Sequence, residues 1–228
     1  MRRDNLHKWI FCEGADDKLY LSTMLKKYYN VHIVPLGGCT NVIKLYRILI
    51  GFLTERSESA SPNALFLIDT DRNRVPIQSV TMFNGSNPPV LLRRLQIDNN
   101  EIKLLDPSNG GTYDQTEIED CLDPYLYWNS LTSTIKSSGS TALKKIIKKF
   151  ELDKDAKRSV LRGDESCIRP TDLKFLVKKE DIIDFAEDDN NKFKIACMYA
   201  ELCKNKAIEH PLADLIVKRL DIKSGELL

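Results

Sequence analysis

The stretch from residue 64 to residue 71 reads Ala-Leu-Phe-Leu-Ile-Asp-Thr-Asp, a continuous apolar run followed at once by two carboxylates. A short run of consecutive apolar residues is typical of a strand that is buried on both faces. The same arrangement occurs earlier in the chain, where the apolar run Trp9-Ile-Phe-Cys12 is followed directly by Glu13. The two stretches therefore predict two buried strands, each of which leads straight into acidic residues.

The segments around these two strands alternate in type. Apolar residues recur at helical spacing over residues 16–29 and again over residues 42–53. Between them, residues 31–36 have the composition of a strand, which Gly37-Gly38 closes. The resulting order β-α-β-α-β predicts an α/β fold in which a parallel sheet is flanked by helices, because successive parallel strands need right-handed helical crossovers.

The rest of the chain has a different pattern. Residues 91–97 and 101–105 are separated by Asp98-Asn-Asn100, which predicts that they pair as a hairpin. From about residue 129 onward the apolar spacing is mostly helical. We therefore expect an α/β domain over residues 1–128 and a helical region over residues 129–228 that packs on it.

The acidic residues that follow the strands predict a cation site. In an open parallel sheet, ligands bind at the carboxyl ends of the strands. Asp69 and Asp71 are two residues apart, so in an extended segment they point the same way, and Glu13 follows another strand of the same sheet. Magnesium binds through one or two carboxylates together with waters and phosphate oxygens. Two alternatives remain open: Asp-x-Asp can be a solvated Asx turn, and Asp16 or Asp17 can cap the first helix.

The order strand, Glu-Gly-x-x-Asp, helix, strand, Gly-Gly, helix, strand, Asp-x-Asp resembles the TOPRIM domain over residues 7–75. That domain occurs in topoisomerases, bacterial primases, small ribonucleases and OLD-family nucleases. The later segment Thr116-Glu-Ile-Glu-Asp-Cys-Leu122 resembles a Glu-Ile-Glu-like segment of the OLD branch. The resemblance implies two Mg²⁺ or Mn²⁺ ions, and it implies these ligands or helpers: Glu13, Asp17, Asp69, Asp71, Glu117 and Glu119. It assigns catalysis to Glu13, Asp69, Asp71 and Glu119, together with Lys192, for which Lys194 is a rival.

The function that this resemblance implies is metal-dependent cleavage of phosphodiester bonds in DNA or RNA. OLD nucleases usually carry an ABC-type ATPase in the same chain, whereas this sequence has no G-x-x-x-x-G-K-[ST] motif. The expected role is that of a toxic effector in a phage-defence system, restrained by a separate ABC-type ATPase. Two alternatives are a housekeeping TOPRIM ribonuclease that acts on structured RNA, such as rRNA or tRNA, and a non-catalytic TOPRIM-like binding module.

Composition limits the other possibilities. The formal net charge is +1, so affinity for nucleic acid must come from a local patch. One candidate is a row of four lysines at positions 144, 145, 148 and 149, and Arg93-Arg94 is another; a solvated surface is the alternative for both. The six cysteines form no C-x-x-C pair, which favours a reduced, cytoplasmic protein. No apolar run reaches the roughly 20 residues that span a bilayer, so no membrane partner is expected. A homo-oligomer is compatible with the sequence.

Overall fold

The structure is a computed structural model that describes residues 7–53, 62–70, 88–107 and 114–223. It consists of two compact units, the first formed by Met1–Glu117 and Pro211–Leu228, and the second by Ile118–His210. The division differs from the boundary expected at residues 128 and 129, which falls inside the helix Pro124–Ser137. The last helix, Pro211–Leu220, belongs to the first unit because it packs against a strand there. Helical spacing alone does not tell which unit a terminal helix will join.

The first unit is built on a five-stranded sheet with the order β2-β1-β3-β4-β5. The strands are β1 (Lys8–Cys12), β2 (Val31–Pro35), β3 (Ala64–Ile68), β4 (Val90–Asp98) and β5 (Glu101–Leu105). Strands β1 to β4 pair in parallel, and only β5 runs antiparallel to its neighbour β4. The expected α/β fold with a mainly parallel sheet is confirmed, as is the hairpin.

Two helices connect the first three strands, α1 (Ala15–Met24) and α2 (Cys39–Leu53). The apolar face of α2 packs on β1, β3 and β4 around Phe66, whose ring stacks on Phe11 at 4.5 Å between centroids and meets Tyr46 edge-on. Helix α1 packs against β2 and ends at Met24, five residues before the end that the apolar spacing predicts. The apolar residues beyond it remain buried as a turn, which periodicity does not distinguish from a further helical turn.

The β4–β5 hairpin depends on two asparagines in its turn. Asn99 and Asn100 both adopt the left-handed conformation, with φ of 47° and 65°. A two-residue hairpin turn of this kind matches the right-handed twist of its strands, and Asn tolerates it better than most residues. The Asp98-Asn-Asn100 stretch therefore closes the hairpin where the sequence predicts it.

The second unit is mostly helical, as expected for the later part of the chain. Its helices are α3 (Pro124–Ser137), α4 (Thr141–Ile146), α5 (Lys179–Glu187) and α6 (Asp189–Cys203), with 3-10 helices at Ile118–Cys121, Ile147–Lys149 and Leu173–Lys178. Helix α3 packs on α6. The unit also contains a small antiparallel pair, β6 (Phe150–Leu152) and β7 (Ile168–Pro170), and strands this short carry no readable sequence pattern. Among the described helices, none has the length and apolar character needed to cross a bilayer.

Candidate acidic site at the strand ends

Glu13 and Asp69 lie together at the carboxyl ends of β1 and β3. These strands are parallel neighbours, with Phe11 in register with Phe66, so each chain leaves the sheet at the same edge. The backbone N–H of Asp69 donates a hydrogen bond of 2.9 Å to the carboxylate Oε1 of Glu13. Both side chains are partly exposed. The first of the acids after β1 and the first after β3 are thus in direct contact across 56 residues of sequence.

The glycine pair after β2 holds the backbone of Glu13. The N–H groups of Gly37 and Gly38 both donate to the Glu13 carbonyl oxygen, at 2.8 and 3.0 Å. The two glycines have φ of 75° and 111°, which residues with a Cβ rarely adopt. Asn41 in α2 steadies the turn by donating its side-chain amide to the Leu36 carbonyl. The loops after three strands therefore converge on one residue, Glu13.

Asp17 fastens the same residue from the first turn of α1. Its Oδ2 accepts hydrogen bonds from the backbone N–H groups of Glu13 at 3.1 Å and Gly14 at 2.7 Å, and the side chain is buried. A carboxylate at this position satisfies amide groups that have no partner within the helix. This contact makes Asp17 a positioning residue for Glu13, and its role as a metal ligand stays a prediction.

A backbone bridge brings Glu117 to the side of the site. Thr70 and Thr116 exchange two antiparallel hydrogen bonds, of 2.8 and 2.9 Å. Residues that precede one member of an antiparallel pair lie across from residues that follow the other, so Glu117 falls on the Asp69 side of the bridge. The Glu117 carboxylate also accepts a hydrogen bond of 2.8 Å from the Gln115 side chain. Nothing in the spacing of the sequence predicts this bridge.

The remaining predicted site residues belong to the second unit or fall outside the described residues. Asp71 is outside the described residues. Glu119 belongs to the second unit, in the 3-10 helix Ile118–Cys121, and is buried. Lys192 also belongs to the second unit, in the first turn of α6, where it is half-buried, whereas its rival Lys194 is exposed. The structure therefore brings Glu13, Asp17, Asp69 and Glu117 to one edge of the first unit.

The position of Glu119 depends on a segment 40 residues further along the chain. The hydroxyl of Ser159 donates to the carbonyl oxygen of Glu119. Next to it, the guanidinium of Arg162 donates to the Asp120 carboxylate at 2.6 Å and to Glu187 at 3.2 Å. Asp120 is buried, so this ion pair is shielded from water. The sequence gives no signal for these contacts, since neither Ser159 nor Arg162 belongs to a motif.

The strand ends carry a strong negative field. The thiol of Cys12, the last residue of β1, is fully buried, and its pKa is raised first by burial and then by nearby negative charges. These charges belong to Asp17, Asp16, Asp69 and Glu13, in decreasing order of effect. A thiolate is disfavoured there first because burial removes it from water and then because four carboxylates repel it. The same field attracts a cation.

The donor atoms at this edge suit a hard divalent cation. Carboxylate oxygens are the protein ligands that Mg²⁺ prefers. Among the residues that the structure describes, no group of three or more His, Cys, Asp and Glu side chains is arranged to hold a metal ion. The predicted set includes Asp71, which lies outside those residues. The described part of the site thus supplies carboxylates of the right chemistry and a partial set of ligands.

The arginine pair that the sequence suggests as a nucleic-acid contact is not a surface pair. Arg94 is fully buried in β4, so its guanidinium does not face solvent. Arg93 is partly buried beside Asp106 at 3.7 Å, and burial lowers its pKa. Because most residues of β4 are buried on both faces of the sheet, neither arginine is an exposed surface residue. The sequence does not indicate this, because two consecutive arginines are usually exposed.

No protein-family model, curated protein or solved structure matches the chain. The TOPRIM and OLD resemblance consequently rests on the residues quoted above, and the fold itself is established only as an α/β sheet with a helical second unit. What the site offers chemically is a set of converging carboxylates at the ends of adjacent parallel strands.

Proposed function

We propose that this chain is a Mg²⁺- or Mn²⁺-dependent nuclease with a TOPRIM-like first unit. The observation that supports the proposal most is the contact between the Asp69 amide and the Glu13 carboxylate. It joins the ends of β1 and β3, and in the sequence each of these strands is followed directly by an acidic residue. Open parallel sheets bind ligands at this edge, and clustered carboxylates at such an edge suit a cation that in turn binds phosphate.

In this proposal each residue has a distinct task. Glu13 and Asp69 supply carboxylate oxygens from β1 and β3, and Asp71 supplies another from the chain that follows Asp69. Glu117 approaches from the Thr70–Thr116 bridge. The bound cation would supply the positive charge that stabilises the phosphate and the leaving oxygen in the transition state. Asp17 keeps the Glu13 backbone in place.

Two further residues follow from the OLD resemblance alone. Glu119 would complete the ligand set for a second ion, and Lys192 would add positive charge near the scissile phosphate. A two-ion site needs more oxygen ligands than one strand edge provides, because both cations must stay bound roughly 3.5–4 Å apart. Glu119→Gln should then abolish most cleavage while the fold is retained, and near-normal cleavage would contradict the OLD-like assignment.

The biological role that fits this reading is that of a toxic effector of a phage-defence system, with nucleic acid as substrate. The OLD resemblance leads us to propose that a separate ABC-type ATPase restrains it. Co-expression with an ATPase encoded next to it should yield a stable complex, and release from that complex should be toxic. Failure to co-purify, together with harmless overexpression of the chain alone, would contradict this role.

A cleavage assay tests the enzymatic proposal. Purified protein is incubated with labelled DNA and RNA in Mg²⁺, in Mn²⁺ and in EDTA. We expect cleavage with either metal, none in EDTA, and a loss of orders of magnitude in Asp69→Asn and Glu13→Gln. The matched control is Asp16→Asn, which removes one carboxylate from the first turn of α1 without touching the Glu13–Asp69 contact. Equal rates in all variants would contradict the proposal.

The second candidate is a non-catalytic module, and one observation favours it. In the described residues the Glu13 and Asp17 carboxylates accept backbone hydrogen bonds, as purely structural carboxylates do. On this reading the acids only fasten three loops to each other. Metal-independent stability, and nucleic-acid binding without cleavage, would favour the module over the nuclease.

A further inference from the structure

An apolar turn in the second unit is exposed to solvent to an unusual degree. In the 3-10 helix Leu173–Lys178, Leu173 is 81% exposed, Leu176 53% and Val177 79%. Single exposed aliphatic residues are common on protein surfaces, but a contiguous group marks an interaction site. We call these three residues the apolar turn. Phe175, in the same 3-10 helix, is half-buried instead.

A row of lysines lies beside the apolar turn. The lysine row consists of Lys144, Lys145, Lys148 and Lys149, on α4 and the 3-10 helix that follows it. The last three are exposed, and within the described residues no carboxylate forms an ion pair with any of the four. The Nζ of Lys149 lies 5.7 Å from the centre of the Phe175 ring, and the Lys149 carbonyl accepts a hydrogen bond from Thr171. Lys149 therefore places the end of the lysine row beside the segment that carries the apolar turn.

We propose that this surface docks a partner protein through an acidic amphipathic segment, with an apolar stripe on the apolar turn and carboxylates toward the lysine row. Burying the three aliphatic side chains releases water from apolar area, which is the main favourable contribution to association. The charge of Lys149 already acts on Asp172, and the other lysines of the row add positive charge that attracts carboxylates and speeds the encounter. Both the apolar turn and the lysine row therefore contribute to recognition of the partner.

The charges next to the apolar turn argue against three other occupants. Asp172 pairs with Lys174 at 2.8 Å and Asp181 pairs with Lys178 at 3.3 Å, so a carboxylate lies at each end of the turn. A uniform polyanion, such as a nucleic-acid strand or an anionic membrane, would meet these acids as well as the lysines. A second copy laid antiparallel would place acids against acids and lysines against lysines. A protein segment avoids both conflicts, because its acidic residues can lie opposite the lysines and its uncharged residues opposite the acids.

The test uses a random peptide library displayed on phage, selected on the full-length protein. Selection is repeated on the double variant Leu173→Asp/Val177→Asp, and peptides that still bind this variant are discarded. Enriched peptides are then measured by fluorescence anisotropy against that variant and against Lys145→Glu/Lys148→Glu. The control, Ile48→Asp/Phe52→Asp, changes two exposed apolar residues on α2 in the first unit. Thermal melts verify that each variant folds.

We expect enriched peptides with apolar residues at i, i+3 or i+4 and an excess of Asp and Glu. Their affinity should fall about tenfold or more in both second-unit variants and stay unchanged in the control. Added salt should weaken binding to the wild type and have less effect on the lysine variant. The proposal is overturned if no such peptides are enriched or if they bind all variants equally. It is also overturned if an oligonucleotide, or a vesicle of phosphatidylcholine and phosphatidylserine, binds the surface with the same residue dependence instead.

Discussion

Replacing Asp17 with alanine tests the idea that this carboxylate positions Glu13. The Oδ2 atom of Asp17 accepts two backbone hydrogen bonds, from Glu13 at 3.1 Å and from Gly14 at 2.7 Å, and only 5% of the residue is exposed. In Asp17→Ala both donors lose their acceptor. A partly buried donor left without an acceptor costs about 1–3 kcal/mol. We therefore expect the free energy of unfolding to fall by about 2–4 kcal/mol, at or above the roughly 2 kcal/mol of the strongest helix caps, because two donors lose their acceptor.

The assay is a thermal melt with and without Mn²⁺. For a chain of this size each kcal/mol lowers the melting temperature by about 2–4 °C, which predicts a decrease of about 4–16 °C. Asp17→Asn keeps an acceptor oxygen but loses the charge, so its decrease should be about half as large. The matched control is Asp16→Ala, which removes the neighbouring carboxylate and should change stability by about 0.5 kcal/mol or less.

Two results separate positioning from ligation. If Asp17 only positions Glu13, the stabilisation by Mn²⁺ should persist in Asp17→Asn on a lower baseline. If Asp17 is a ligand, that stabilisation should largely disappear. The positioning argument is refuted if Asp17→Ala melts at the wild-type temperature.

Three further predictions concern other parts of the molecule. Arg162→Met leaves its buried carboxylate partner without a counter-charge and should lower the free energy of unfolding by about 3–5 kcal/mol in chemical denaturation. Arg169→Met breaks a surface pair and should lower it far less, so equal effects of the two substitutions would contradict this. Asn100→Gly should stabilise the hairpin by about 0.5–1 kcal/mol, because glycine adopts positive φ without strain; a lower melting temperature would be the contrary result. The raised pKa of the buried Cys12 thiol leaves less thiolate at any given pH, so iodoacetamide should label the exposed Cys197 first in the folded protein, as peptide mass spectrometry can show.

Part of the first unit could be predicted from the sequence because β3 is a continuous apolar run whose residues are all buried. The expectation that β1 is buried on both faces is wrong, because Trp9 is 42% exposed and burial alternates along that strand. The strand Ala64–Ile68 occurs at the predicted residues, and the acids that follow β1 and β3 meet at one edge as parallel pairing requires. The two-residue asparagine turn likewise marked the hairpin. In each case a local pattern fixes the element, and the topology of parallel strands fixes the neighbour.

The rest depends on contacts that no local pattern encodes. The Thr70–Thr116 bridge brings Glu117 toward Asp69 through backbone groups, which all residue types share. The capping role of Asp17 competes with ligation for the same carboxylate, and the motif is compatible with both. The short strands β6 and β7, and the return of the last helix to the first unit, depend on packing between segments far apart in the chain.

The most direct test of the central claim is a calorimetric titration of Mn²⁺ into the wild type and into Asp69→Asn. The asparagine keeps the backbone N–H that bonds Glu13 and nearly the same shape, so the fold and the Glu13 contact should survive. It removes one negative charge and one ligand oxygen. If Glu13 and Asp69 hold a divalent cation, the wild type should bind Mn²⁺ and the variant should bind it at least about tenfold more weakly. Equal binding in the two proteins, or no binding in either, would contradict the claim.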